Sequence, residues 1–445
     1  MASSITFTLL FFFLFSALTS HLSTAKTTVP FPKALVLRVT KDTTTRQYIT
    51  QITQRTPPVQ AKVVLDVGGE FLWVDCEKGY KSSTKKPVPC GSPQCALSLS
   101  GACTIIDNDP SDVGICSVMP NNPISSVGTS GDLFQDILYV QSTNGFNSGK
   151  QVSVPNLLFS CAPNSLLEGL SKGSVGIAGL GRNKVALPSL LASAFSFPRK
   201  FGVCLSPNSN GVVFFGKEPY VLLPGIDVSD PKSLTYTPLI QNPRSLVTSF
   251  EGNPSAEYFI GVKSIKVGGN PLKFNATLLT FDNEGGHGGT KISTVDPFTT
   301  LETSIYKALV NAFVKALGPK VPRVKAVAPF GACFDAKHIG STRVGPAVPQ
   351  IDLVLRNDKL WSIFGDNSMV SVGNDVLCLG FVDGGPLNFV DWGIKFTPTA
   401  VVIGGQQIEN NFLLFDLGAS RLGFSSSLLF RQTTCSNFNF NSSAY

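Results

Sequence analysis

The chain has 445 residues, with 36 Lys and Arg against 29 Asp and Glu, a formal net charge of +7, and 43% hydrophobic but only 15% charged residues. This composition excludes a disordered chain, and without a dense Lys/Arg run interleaved with aromatics it excludes a nucleic-acid binder. The modest positive excess suits an acidic matrix or partner as readily as it serves solubility.

The first segment, Ile5 to Leu18 (ITFTLLFFFLFSAL), is apolar and runs into the small residues Ser23 and Ala25. It reads as a secretory signal peptide over residues 1–25, although no Lys or Arg precedes it. The run is short for a membrane span and no later segment reaches that length, so no membrane association is expected. Length allows one large or two medium domains. With 41 Gly and 30 Pro among short β-branched runs, the remainder reads as all-β.

Val36 to Thr40 and Tyr48 to Thr53 are expected strands. The stretch VVLDVGGEFLWVDC, Val63 to Cys76, organises the rest of the chain. Val63–Leu65 and Phe71–Val74 read as strands, with Gly68 and Gly69 turning the backbone between them and Asp66 held on that turn. The polar stretch beyond, holding Cys90, Cys95, Cys103 and Cys116, reads as a disulfide-stapled loop region. Gly131–Val140 and Leu157–Cys161 are further strands. SVGIAGLGR, Ser174 to Arg182, has glycines that let a strand cross close beneath another backbone. Leu187–Phe195 is a short helix, and Val212–Phe215 and Ser233–Leu239 are strands.

Ile240 to Pro254 is polar and Pro-containing, which places a boundary near 240 and divides the mature chain into halves 26–240 and 241–445. In the second half Tyr258–Val267 and Lys291–Val295 read as strands and Ser304–Leu317 as a helix. Val401–Gly423 repeats the apolar run, Gly pair, apolar run and turn of the first half. Ten cysteines, an even number in a chain read as secreted, imply disulfides throughout. Three His and no ligand spacing leave no metal site, and no cofactor is expected. Asn275 and Asn441 head glycosylation sequons.

In this order, LDVGGEFLWV, GIAGLG and IGGQQIENNFLLFDLGASRLGF resemble the pepsin-like aspartic protease family. The resemblance implies two all-β lobes related by a pseudo-twofold axis around a cleft. That family uses two aspartates, one per lobe, about 3 Å apart and sharing a proton, so that one acts as base and the other as acid. The first falls on Asp66, with Val67 and Gly69 in place of the Thr and Ser of D-T-G-S. The second falls on Ser293, so that D-S-G becomes Ser293-Thr294-Val295. Asp296, ahead of a proline, is expected to point elsewhere, and Asp66 to hydrogen-bond the opposing turn. The tyrosine of the family's flap falls on Pro123. The dyad is therefore degenerate, and a protein that is not an enzyme is implied.

KISTVDPFTTLETSIY, APFGACF, STRVGP, DNSMV and TTCSNFNF further resemble a secreted plant group of that superfamily. It includes extracellular dermal glycoprotein, xyloglucan-specific endoglucanase inhibitor proteins, basic 7S globulins and wheat-type xylanase inhibitors. The resemblance implies an apoplastic monomer that binds and inhibits microbial cell-wall-degrading glycoside hydrolases of the xyloglucan endoglucanase class, in plant defence. An active aspartic endopeptidase and a 7S-type storage or peptide-binding protein are the alternatives. No dibasic processing run marks the boundary between the halves. Arg343 and Arg431 fall where inhibitory arginines belong, although the resembling tail arginine comes one position later, at Gln432. Cys76 would pair with Cys161, Cys204 with Cys435 and Cys333 with Cys378. Cys90, Cys95, Cys103 and Cys116 are left with three connectivities open.

Overall fold

The buried apolar run ALVL and the alternation that follows it in RVTK form the strand Ala34–Lys41, which runs antiparallel to Gly211–Gly216 on one side and to Tyr48–Gln54 on the other. The computed structural model describes residues 32–105, 113–245, 253–282, 286–373, 375–387 and 398–441. The expected signal segment, 1–25, lies outside them. From Lys33 onward the chain forms one unit. Among the described residues no helix is long and apolar enough to cross a membrane.

Tyr48–Gln54 pairs in turn with Val59–Asp66. The expected strands at 131–140 and 157–161 are the cores of a longer antiparallel hairpin, Gly131–Thr143 with Ser148–Ala162. Cross-strand pairing carries both past their apolar runs into polar sequence. The helix Leu187–Phe195 has Pro188 in its first turn and stops at Ser196, whose φ of 55° is left-handed. The helix Thr303–Leu317 starts where the Glu302 carboxylate accepts from the Ser304 and Ile305 amides, and it buries Ile305, Leu309 and Phe313 on one face.

The expected strand at 258–267 is two strands. Tyr258–Ile260 pairs with Thr290–Ile292, and Val262–Val267 pairs with Ile351–Leu355. The chain changes sheets at Gly261, where a Cβ would lie 2.7 Å from Arg356 Cδ.

The two halves share one sheet network. Lys200–Cys204 lies between Gly211–Gly216 of the first half and Phe412–Asp416 of the second. Thr235–Ile240 pairs with Arg421–Phe424. Phe201 stacks on Phe415 with centroids 4.7 Å apart, and Tyr258 packs on Phe415 at 4.6 Å, so aromatic core is continuous across the join. This is the two-lobed pepsin-like architecture.

All ten cysteines are paired. Cys76–Cys161, Cys204–Cys435 and Cys333–Cys378 form, and the four left open pair as Cys90–Cys103 and Cys95–Cys116.

Candidate functional site

Asp66 ends the strand Val59–Asp66, which runs parallel to Gly176–Gly179 with Leu65 opposite Ala178 and Asp66 opposite Gly179. Close approach is built into the glycines: a Cβ on Gly176 would lie 2.0 Å from the Trp73 carbonyl, and one on Gly69 would lie 2.9 Å from Gly179 Cα. The second half repeats this arrangement. Thr290–Ile292 runs parallel to Val401–Ile403, with Lys291 opposite Val402 and Ile292 opposite Ile403. The next antiparallel neighbours correspond too, Trp73 with Ile177 and Thr300 with Val402. In this register Leu65 corresponds to Ile292, and the residue one step on is Asp66 in one half and Ser293 in the other.

Both side chains cap their own turns. Asp66 Oδ1 accepts from the Gly68 amide at 2.9 Å, and Ser293 Oγ accepts from the amides of Val295 at 3.2 Å and Asp296 at 3.1 Å. The expected bond from Asp66 to the opposing turn is made instead by Thr294. Its Oγ1 accepts from the Val67 amide at 3.0 Å and donates to the Leu65 carbonyl at 2.7 Å. A carboxylate already held by its own turn leaves this crossing to a hydroxyl, which donates and accepts at once.

Other charged groups, which the sequence motifs do not mark, surround Asp66. Lys291 Nζ pairs with Glu257 Oε1 at 2.6 Å, and Glu257 lies over the turn, 3.1 Å from where a Gly68 Cβ would be. Burial pushes the Asp66 carboxyl up to about 6; the Gly68 amide and Lys291 oppose this, while Glu257 and Asp296 add to it. The charge of Asp296 therefore reaches Asp66 through the electrostatics of the site. Burial, with Glu257 beside it, pushes Glu70 up to about 7. Burial works against the Lys291 ammonium, but Glu257 and Asp296 outweigh it and hold its pKa above the ordinary value. Lys291 was legible, since the extended run expected at 291–295 places it two residues before Ser293 on one face, although the strand itself ends at Ile292; Glu257 left no signal in the sequence.

A recess lined by Asp66, Glu70, Phe71, Trp73 and Asn121 lies beside the short hairpin of Asn121–Asn122 with Val127–Gly128. Pro123 sits in the turn of this hairpin. The Trp73 indole donates to the Asn121 carbonyl at 3.0 Å. The buried Asn122 amide donates to the carbonyls of Leu166 and Glu168, both at 2.8 Å, and its oxygen accepts from the Ile124 amide at 2.9 Å. The hairpin is fastened at its neck. Chemically, the site offers the carboxyls of Asp66 and Glu70, both held above the ordinary carboxyl range by burial, and a hydroxyl, Ser293, in the place that corresponds to Asp66.

The two arginines have different surroundings. Arg343 is exposed at the tip of the hairpin Ser341–Thr342 with Gly345–Pro346. That hairpin is held by the Asp366 amide, which donates to the Val344 carbonyl at 2.8 Å. Arg431 is half-buried, and its guanidinium donates to Ser233 Oγ at 3.1 Å and to the Asp227 carbonyl at 3.0 Å. Its neighbour Phe430 is 52% exposed and packs edge-on against Phe364 at 5.0 Å. The Phe364–Asp366 segment thus joins the Arg343 hairpin to the Phe430–Arg431 turn. Asn275 and Asn441 are both exposed.

The family model described as xylanase inhibitor N-terminal matches residues 48–217, and that described as xylanase inhibitor C-terminal matches residues 257–426. Probable aspartic proteinase GIP2 of Nicotiana benthamiana is 53% identical over 432 residues, covering 95% of each chain. Gamma conglutin 1 of Prunus dulcis is 46% identical over 438 residues, covering 96% of this chain and 94% of its own. The crystal structure of edgp superposes with a TM-score of 0.87 at 52% identity, over 92% of this chain and 99% of that one.

Proposed function

We propose, from the premise that this chain belongs to the family of the pepsin-like xylanase inhibitors, that it is a secreted, non-proteolytic protein that binds and blocks microbial cell-wall-degrading glycoside hydrolases in the apoplast. The observation that carries this reading is Arg343, an exposed guanidinium on a braced hairpin with no ion pair among the described residues. A retaining glycoside hydrolase has two carboxylates about 5–5.5 Å apart at the floor of its cleft. A planar fork of N–H donors matches a carboxylate in two directions. Phe430, linked to the Arg343 hairpin through the Phe364–Asp366 segment, supplies the exposed aromatic that interface hot spots favour. Arg431, bound to Ser233 and Asp227, serves by holding that turn and has donors left for a partner.

Ser293 supports the non-proteolytic part of the reading, because a serine cannot share a proton with Asp66 as a second carboxylate does. The name of the Nicotiana relative keeps an aspartic endopeptidase as the competing reading, and the likeness to gamma conglutin keeps a storage or peptide-binding role as another. One experiment separates them. A panel of microbial xyloglucan endoglucanases and xylanases is incubated with the purified protein and scored for residual hydrolase activity. Inhibition of at least one supports the proposal, and none across the panel at micromolar protein refutes it.

A further inference from the structure

A second surface, in the first half, is built from cations that make no ion pair among the described residues. Asp136, 1% exposed, accepts from the Tyr80 hydroxyl at 2.8 Å, Ser82 Oγ at 3.1 Å, Thr84 Oγ1 at 2.5 Å and the Ile137 amide at 2.8 Å. These bonds fold residues 80–84 over the sheet. On that base Arg55 lies 4.0 Å over the Tyr80 ring, and Lys85 lies 3.7 Å over Phe134 and 5.3 Å over Tyr80. Arg55 holds a φ of 82°, rare for a residue with a side chain, and one of its amine groups donates to the Gly79 carbonyl at 3.2 Å.

Lys78, Lys81 and Lys86 of the same loop are exposed. None of these five cations is ion-paired among the described residues. The loop's own carboxylate, Glu77, accepts from the Asn164 amide at 3.1 Å.

The character of the patch selects its partner. Protein interfaces deplete lysine at their centres and depend on apolar anchors. Here lysines dominate, and no large apolar side chain between 76 and 87 is exposed. Point charges on flexible stems, steadied by two cations stacked on aromatic rings, suit a repeating polyanion whose charges need no single geometry. We propose that the Lys78–Lys86 loop, with Arg55, binds a polysaccharide carrying carboxylates on successive sugar rings. This surface is independent of the hydrolase reading.

The test passes the full protein over immobilised polygalacturonate, with the methyl-esterified polymer as the uncharged counterpart. The expected result is retention that weakens as NaCl rises, and little retention on the ester. A Lys81→Glu, Lys86→Glu double variant is expected to lose about tenfold or more in affinity. A charge-matched variant at exposed positions of the second half, Lys320→Glu, Lys359→Glu, is expected to keep most of it. Equal losses in the two variants would overturn the proposal, because net charge would then be the cause. So would failure of the wild-type protein to bind, or tighter binding to an immobilised acidic globular protein than to the polymer.

Discussion

Thr294 and Val67 share a single hydrogen bond, from the Val67 amide to the Thr294 hydroxyl at 3.0 Å, and valine has no hydroxyl with which to return it. The register of the two halves makes these residues counterparts, so the crossing between the two turns is one-sided. Thr294 Oγ1 also donates to the Leu65 carbonyl, and Leu65, Val67 and Thr294 are all buried. Thr294→Val would leave a buried donor and a buried acceptor unsatisfied and is expected to cost about 1–3 kcal/mol. Urea denaturation measures this, and Thr294→Ser, which keeps the hydroxyl, should recover most of the loss. Equal midpoints for the valine variant and wild type would mean the crossing contributes nothing.

The wild-type protein is expected to show no digestion of haemoglobin at acid pH, because the position that corresponds to Asp66 in the other half is a serine. The decisive comparison is with Asp66→Ala. Acid proteolysis by the wild type that vanishes in this variant would establish Asp66 as a catalytic residue.

The framework of this site could be read from the sequence and its electrostatics could not. Strands and helices of one segment follow from local patterning, and the helix Leu187–Phe195 falls where its apolar residues and Pro188 place it. The strand expected at 291–295 ends at Ile292 because the Ser293 hydroxyl caps the turn, a choice between strand and turn that its β-branched neighbours conceal. The Glu257–Lys291 pair forms across the antiparallel pairing of Tyr258–Ile260 with Thr290–Ile292, and the placement of its charges near Asp66 depends on the joining of the two halves. No local pattern encodes them. Arg431 likewise looks like an ordinary tail arginine until Ser233 and Asp227 are brought beside it.

Stability is expected to fall as pH rises from about 4 to 7. Asp66 and Glu70 keep their protons to about 6 and about 7 in the folded chain, above ordinary carboxyl values. Through this window the native state therefore binds more protons than the unfolded state, and stability declines with rising pH. For Asp66, raised from 3.8 to about 6, the effect is on the order of 2–3 kcal/mol. Asp66→Asn and Glu70→Gln, which mimic the protonated forms, should each flatten the decline. The check is the urea midpoint at pH 4.5 and pH 7.5. A wild-type midpoint that rises across this interval, or variants with the wild-type slope, would contradict the assignment.

Arg343 and Arg431 should separate by what their loss damages. Arg343 is exposed, so Arg343→Ala is expected to change folding stability by no more than about 0.5 kcal/mol. If its guanidinium enters a hydrolase cleft and pairs with a catalytic carboxylate there, the same change should weaken inhibition by roughly 2–5 kcal/mol, as for truncating one member of a buried charge pair. Arg343→Lys keeps the charge but not the planar fork, and should fall between alanine and wild type. Arg431→Ala removes the bonds to Ser233 and Asp227 and should cost about 1–3 kcal/mol of stability. It should also weaken inhibition, because the turn that presents Phe430 loses its brace; Phe430→Ala should reproduce that second effect without the first. Inhibition constants for these variants against one sensitive endoglucanase, set beside their melting temperatures, decide the matter. A constant unchanged in both Arg343→Ala and the Arg343→Ala, Arg431→Ala double variant would eliminate the arginine mechanism while leaving the inhibitor reading to its own test.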